Sequence, residues 1–297
     1  MADAARLGDD HRCPKSEWLI YPHKGGPIAT PGDPDVLIEG NTAARFTDTA
    51  ICLGPMDAVA IGSPTVFIGG MLAARKGDAT EHEGSISQGA ATVQIGNGPP
   101  GISMVRRGKI WLILDTTNHT LTMVGLQEFN GPGASQAYVD KATGIINQTW
   151  SGTTTIDGQP YTVTSMIQGR QRPDGAPNNP SANQVDVNHT TDPPDVTGKK
   201  DPSNQPLYGN ASGYQHDTDG DNGSLGPAHE FGHSMGLDDE YKEAGHDSNG
   251  NRQIVQTGPP GGIMGHVEPG SKPTSQNYQS LANGHGLCDP GTGSPMS

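Results

Sequence analysis

The stretch "AARFTDTAICLGPMDAVAIGSPTVFIGGMLAARKGD", residues 43–78, begins and ends on the same six-residue pattern. A third copy stands upstream, so "AARLGD" (4–9), "AARFTD" (43–48) and "AARKGD" (73–78) write one turn-forming unit three times. Between the copies lie "GDPDVLIEG" (32–40), "GSPTVFIGG" (62–70) and "GAATVQIG" (89–96). Each is a Gly/Pro or Gly/Ala turn followed by a short run of β-branched and apolar residues. Short strands at regular spacing, closed by glycine, predict a small all-β unit of repeated hairpins. No single repeat buries its apolar face alone, so the copies are expected to close around a common axis.

Composition agrees with turn-rich structure. Of 297 residues, 43 are Gly and 25 are Pro, while only 31% are hydrophobic and 5% aromatic. The length suggests two domains. A formal net charge of -14 argues against an electrostatic nucleic-acid binder, and no basic cluster exceeds "RRGK" (106–109). The N-terminus "MADAARLGDDHRCP" has no apolar core, so no cleavable signal peptide is visible. "IWLIL" (110–114) is too short to span a bilayer, and no stable membrane insertion is expected. The three cysteines, Cys13, Cys52 and Cys288, make no disulfide framework; for Cys13 and Cys52, metal binding competes with plain burial.

The threefold repeat resembles the PAAR-repeat family, conical β proteins that cap the VgrG spike of the type VI secretion system. The resemblance covers residues 1–97. It implies a cone with its base on a VgrG trimer and a structural zinc near the tip, held by three histidines and one cysteine. The matching candidates are His11 in "GDDHRCP", His23 in "PHKGGPI", Cys52 in "AICLGP" and His82 in "EHEGSI". A Cys/His set in turns between repeats suits tetrahedral zinc. Cys13, two residues from His11, could take its place.

Residues 98–108 read as a junction around "GNGPPG", and "KIWLILDTTNHTLTMVG" (109–125) as two strands about a turn at Thr117–Asn118. In "GPGASQAYVDKATGIINQTWS" (131–151), Ala137, Tyr138, Ala142, Ile145, Ile146 and Trp150 recur at helical spacing. "TTTIDGQPYTVTSMIQG" (153–169) reads as a hairpin turning at "DGQP". Residues 170–206, rich in Pro, Asn, Asp and Ser, are expected to be a long loop with at most a short strand near "NQVDVN". "HDTDGDNGS" (216–224) alternates aspartates, but Asn222 and Ala228 stand where a calcium-binding EF-hand needs Gly and Glu. Calcium is therefore the weaker expectation beside zinc.

"HEFGHSMGLDDEY" (229–241) carries the chemistry of the second half. Histidines four apart on a helix share one face and can bind one metal. Glu230, directly after the first, can take a proton from a metal-activated water. The run fits H-E-x-x-H-x-x-G-x-x-(H/D) and so resembles the metzincin metallopeptidases, an α+β fold expected over 109–285. That resemblance implies His229, His233 and Asp239 as catalytic zinc ligands, Glu230 as base, and a Met-turn at Met264 in "GGIMGH" (261–266). Asp238, Glu240 and His246 remain alternatives for the third ligand. His266, Tyr241 or Tyr278 could stabilise an oxyanion.

Together the resemblances imply a spike-tip effector. It would be made in the cytoplasm and exported without a signal peptide by the type VI machinery. The fused zinc peptidase would hydrolyse a peptide or protein substrate in a target bacterium, and a cognate immunity protein would protect the producer. The alternative is a non-catalytic adaptor whose peptidase-like extension is inactive. Residues 286–297 read as a flexible tail.

Overall fold

The computed structural model describes residues 1–17, 21–188, 212–216, 225–246, 252–265 and 270–283. It divides into two compact units: Met1–Ile102 with Val124–Leu126 and Gly175–Ala182, and the remainder. The architecture is a β-rich N-terminal unit followed by a mixed α and β unit.

The first unit is organised by its three hexapeptides. The amide of Ala5 donates to Ala74 O (2.9 Å), that of Ala74 to Ala44 O (2.9 Å), and that of Ala44 to Ala5 O (3.0 Å), closing a ring. All three alanines are fully buried, as a crowded axis that admits only methyl groups demands. Each hexapeptide then turns the same way. The amides of Arg6, Arg45 and Arg75 donate to Asp9, Asp48 and Asp78 Oδ2 at 2.8, 2.7 and 2.8 Å. The fifth position is left-handed in every copy, Gly8 (φ 93°), Thr47 (φ 75°) and Gly77 (φ 92°). Ile28, Val59 and Ile86 pack with the ring alanines, and Ile38, Ile68 and Ile95 form a second cluster with Ala4, Ala43 and Ala73.

Two segments depart from the sequence reading. The expected junction 98–108 contains a strand, Ile102–Arg107, at the edge of the second unit's sheet. Its glycine-rich flanks hide it from pattern reading. Within the expected loop 170–206, residues 175–182 belong to the first unit. Asn179 Nδ2 donates to Thr47 O (2.7 Å), and the Ser181 hydroxyl lies 3.0 Å from Val59 O and 2.7 Å from Glu81 Oε1. The segment is polar because it docks by satisfying backbone groups, which a hydropathy reading takes for a loop. The remainder of that loop beyond 188, the 217–224 part of the acidic run and the tail lie outside the described residues.

Among the described residues, the second unit is built mainly on a seven-stranded sheet. Ile102–Arg107, Ile110–Asp115, Thr120–Asn130, Gln159–Gln171 and Gly152–Ile156 follow one another across it. Asn183–Asn188 pairs in parallel with Thr120–Asn130, and Ser212–His216 in parallel with Asn183–Asn188. Buried Tyr161, Val163, Ser165 and Ile167 alternate with more exposed neighbours, the period of a strand covered on one face. Three helices are described: α1 (Gln136–Thr149), α2 (Gly226–Ser234) and α3 (Ser275–Asn283). Ser135 caps α1 by accepting from the amide of Tyr138. Trp150, at the end of α1, is fully buried among Phe231 and Met235 of the α2 region, Met264, and Tyr278 of α3. Among the described residues no helix is long and apolar enough to cross a membrane.

Candidate metal centres

The first cluster lies where the three repeats lead away from their shared turns. Each hexapeptide aspartate, Asp9, Asp48 and Asp78, is followed four residues later by a donor: Cys13, Cys52 and His82. His23 joins them from the segment before the strand Lys24–Thr30. The donor atoms of Cys13, His23, Cys52 and His82 all lie within 4.8 Å of one another. Cys13 Sγ is 3.7 Å from His23 Nδ1 and 3.6 Å from His82 Nδ1, and Cys52 Sγ is 3.6 Å from His23 Nδ1. A tetrahedron with ordinary zinc–sulfur and zinc–nitrogen bonds has a sulfur–nitrogen edge of about 3.6 Å. The three sulfur–nitrogen distances match that edge, so the chemistry and spacing of the donor set suit zinc. Burial, reinforced by Cys13, pushes the Cys52 thiol up to about 12, so binding a cation there must expel its proton.

His11 does not join this set, and the expectation that it would is corrected. Its buried ring turns away, with Nδ1 2.7 Å from Gly26 O and Nε2 3.2 Å from Asp57 Oδ2. Burial disfavours charge on both groups, yet their contact holds His11 above its usual range and Asp57 below. Asp57 Oδ1 in turn accepts from the amides of Ala58 (2.8 Å) and His82 (3.0 Å). The pair thus supports the cluster from behind. Two glycines allow close approaches around His11 and His23. A Cβ on Gly25 would stand 2.2 Å from His11 O, and one on Gly54 2.7 Å from His23 Nε2. Cys13 was the stated alternative to His11, and the repeat register, with a donor four residues after each hexapeptide aspartate, is the signal that favours it.

The second cluster is set on α2. Pro227 starts the helix, and Gly236 (φ 91°) ends it, with Gly236 N bonded to His233 O and Leu237 N to Gly232 O. His229 and His233 face one way, and the exit turn brings Asp239 back to them. His229 Nε2 is 3.1 Å from His233 Nε2, and Asp239 Oδ1 is 3.2 and 3.3 Å from the two. His229 Nδ1 lies 2.7 Å from Ile263 O and His233 Nδ1 2.7 Å from Leu237 O. Both Nδ1 atoms must donate to those carbonyls, so in the neutral rings both Nε2 atoms present lone pairs. Three acceptors then converge in a near-equilateral triangle, which is stable only around a shared proton or a cation. A tetrahedral zinc face with nitrogen or oxygen donors has edges of about 3.3 Å.

Without a metal, a proton held between an imidazole and Asp239 would relieve that convergence. Burial works against charge on His233, but the hydrogen bond to Asp239 and the nearby Glu230 carboxylate outweigh it, raising the imidazole to about 9. Burial would likewise raise Asp239, and the two histidines hold it well below the usual carboxylate range.

Around this triangle stand the other residues singled out by the sequence. Half-buried Glu230 lies on α2 between the two histidines. Met264 is fully buried beneath the helix, where a Cβ on Gly232 would come within 2.2 Å of its sulfur. The Tyr241 ring stacks on His229 at 6.4 Å. Tyr278 is tied into the core, its hydroxyl donating to Trp150 O at 3.0 Å. Asp238 is exposed and outside the cluster. His266 and the side chain of His246 lie outside the described residues.

Residues 2–52 and 20–88 give two overlapping matches to the PAAR motif, so a PAAR-motif domain spans about residues 2–88. No curated protein matches the sequence.

Proposed function

We propose that this protein is a type VI secretion spike-tip protein whose second domain carries a zinc centre at His229, His233 and Asp239 and hydrolyses peptide bonds there. The PAAR-motif domain supports the spike-tip role, with a VgrG trimer as docking partner. The observation that carries the hydrolytic reading is the triangle of lone pairs at 3.1–3.3 Å with Glu230 beside it. Zinc bound there would supply Lewis-acid polarisation and a lowered water pKa. Glu230 takes the proton of the attacking water and returns it to the leaving amine. Tyr241, stacked on His229, is a donor candidate for the developing oxyanion. A peptide or protein of the target cell is the substrate class, and an immunity protein the expected inhibitor.

A second reading makes the same domain a non-catalytic, metal-stabilised extension of the spike tip. It is favoured by the family match lying wholly within about residues 2–88. One comparison separates the two. The full chain and Glu230→Gln are assayed against protein, peptide and peptidoglycan-stem substrates, and each is produced in the cytoplasm and periplasm of a host. The hydrolytic reading expects equal metal content and a loss of turnover of roughly 10²–10⁴-fold in the variant. Equal turnover by the variant removes Glu230 from its role. Absence of turnover and of Glu230-dependent toxicity in either compartment establishes the non-catalytic extension.

A further inference from the structure

Asp239 comes from an exit turn rather than from a helix, so something must hold it against the two histidines. The residue after it makes the connections. The amide of Glu240 donates to Met264 O (2.7 Å), and its carbonyl accepts from the amides of Thr257 (2.7 Å) and Gly258 (3.0 Å). Its side-chain Oε1 accepts from Asn277 Nδ2 on α3 at 2.7 Å. Asn277 is itself buried and fixed, its Oδ1 accepting from Thr274 N (2.8 Å) and lying 3.0 Å from Thr274 Oγ1. The other carboxylate oxygen lies against two glycines: a Cβ on Gly258 would stand 2.4 Å from Oε2, and one on Gly262 3.0 Å. That oxygen is buried without a hydrogen-bond partner among the described residues. An orphaned buried oxygen costs stability, so packing alone does not account for a polar side chain here.

The connections form a closed circuit. His229 Nδ1 bonds to Ile263 O, the next residue's carbonyl bonds to Glu240 N, and Asp239 returns to His229. We propose that Glu240 is a positioning residue for this metal centre: clamped between Asn277 and the Gly258–Gly262 turn, it fixes the reach of Asp239 to His229 and His233. The proposal rests on the reading of that triangle as a metal site. It makes Glu240 a support for the ligand set, distinct from the earlier alternative that Glu240 is itself the third ligand.

The test uses the full chain. One equivalent of zinc fills the thiolate cluster, cobalt(II) is then titrated in, and affinity and visible spectrum are read for wild type, Glu240→Gln and Glu240→Ala. Glu240→Gln keeps an oxygen for Asn277 and should restore wild-type affinity and spectrum. Glu240→Ala should bind cobalt roughly 10–100-fold more weakly, with an altered spectrum. If Glu240→Ala does not fold, Asn277→Leu, which removes the clamp from the other side, should show the same loss. Wild-type affinity and spectrum in Glu240→Ala, or in Asn277→Leu where that stands in, overturn the positioning role alone. A wild-type chain that takes up no second metal overturns the metal reading, and this role with it.

Discussion

The indole nitrogen of Trp150 donates to the carbonyl oxygen of Ala228 over 2.8 Å, joining the end of α1 to the residue just before His229. Trp150 also meets Phe231 and Tyr278 edge-on, with ring centroids 5.8 Å away in each case. Trp150→Phe keeps much of the ring volume but leaves a buried carbonyl of α2 without its side-chain donor. We expect a loss of about 1–3 kcal/mol in the second unit's stability. Denaturant unfolding of the metal-free chain measures it, and an unchanged midpoint would show that the bond is not needed.

Thr47 occupies the left-handed position that its two counterparts fill with Gly8 and Gly77. A β-branched residue is strained there, and its neighbours hold it in place through Val59 O and the side chain of Asn179. Thr47→Gly should therefore stabilise the first unit by about 1 kcal/mol, read as a higher melting temperature. A fall would mean that the threonine side chain contributes more packing than strain.

The thiolate cluster and the His11–Asp57 pair predict opposite outcomes for neighbouring substitutions. Cys13→Ser removes a donor and should lower zinc content by one equivalent. His11→Gln should keep the metal while weakening the unit, because Asp57 loses a buried partner. Metal analysis after gel filtration decides between them. Zinc lost from His11→Gln and kept by Cys13→Ser would restore His11 to the ligand set.

Metal uptake at the second centre should depend on pH. A protonated imidazole cannot ligate, and His233 stands at about 9 in the metal-free chain. Below that value zinc must displace a proton, so affinity should rise as pH rises from 6 towards 9. Calorimetry in buffers of different ionisation enthalpy reads the released proton. A heat independent of buffer would show that His233 is already neutral.

The repeats were legible because one turn is copied three times, and a closed ring follows from copies that cannot bury themselves alone. The ligand set was legible only in part. Histidine chemistry drew the reading to His11, while the spacing from Asp9, Asp48 and Asp78 pointed to Cys13. In α1 the helical spacing picked out Tyr138, Ala142, Ile146 and Trp150, which are buried, and Ile145, which is half-buried, yet Ala137 is exposed and Val139 is buried instead. Alanine carries too little apolar surface to mark a face. The docking of Asn179 and Ser181 was hidden because polar contacts between distant segments leave no periodicity to read. In the second centre, spacing suggested the two histidines and the resemblance Asp239. The links through Ile263, Met264 and Asn277 depend on folding.

The ring of Ala5, Ala44 and Ala74 has a further meaning for coordination chemistry. Strict threefold symmetry can offer a metal on its axis donors only in threes. Zinc in a structural site asks for four. A true trimer would need an outside molecule to complete the shell, whereas one chain with three similar repeats can devote an insertion to a single unrepeated arm. His23, carried between the first and second copies, is that arm. Departure from symmetry is thus what lets the first cluster close with donors from this chain alone.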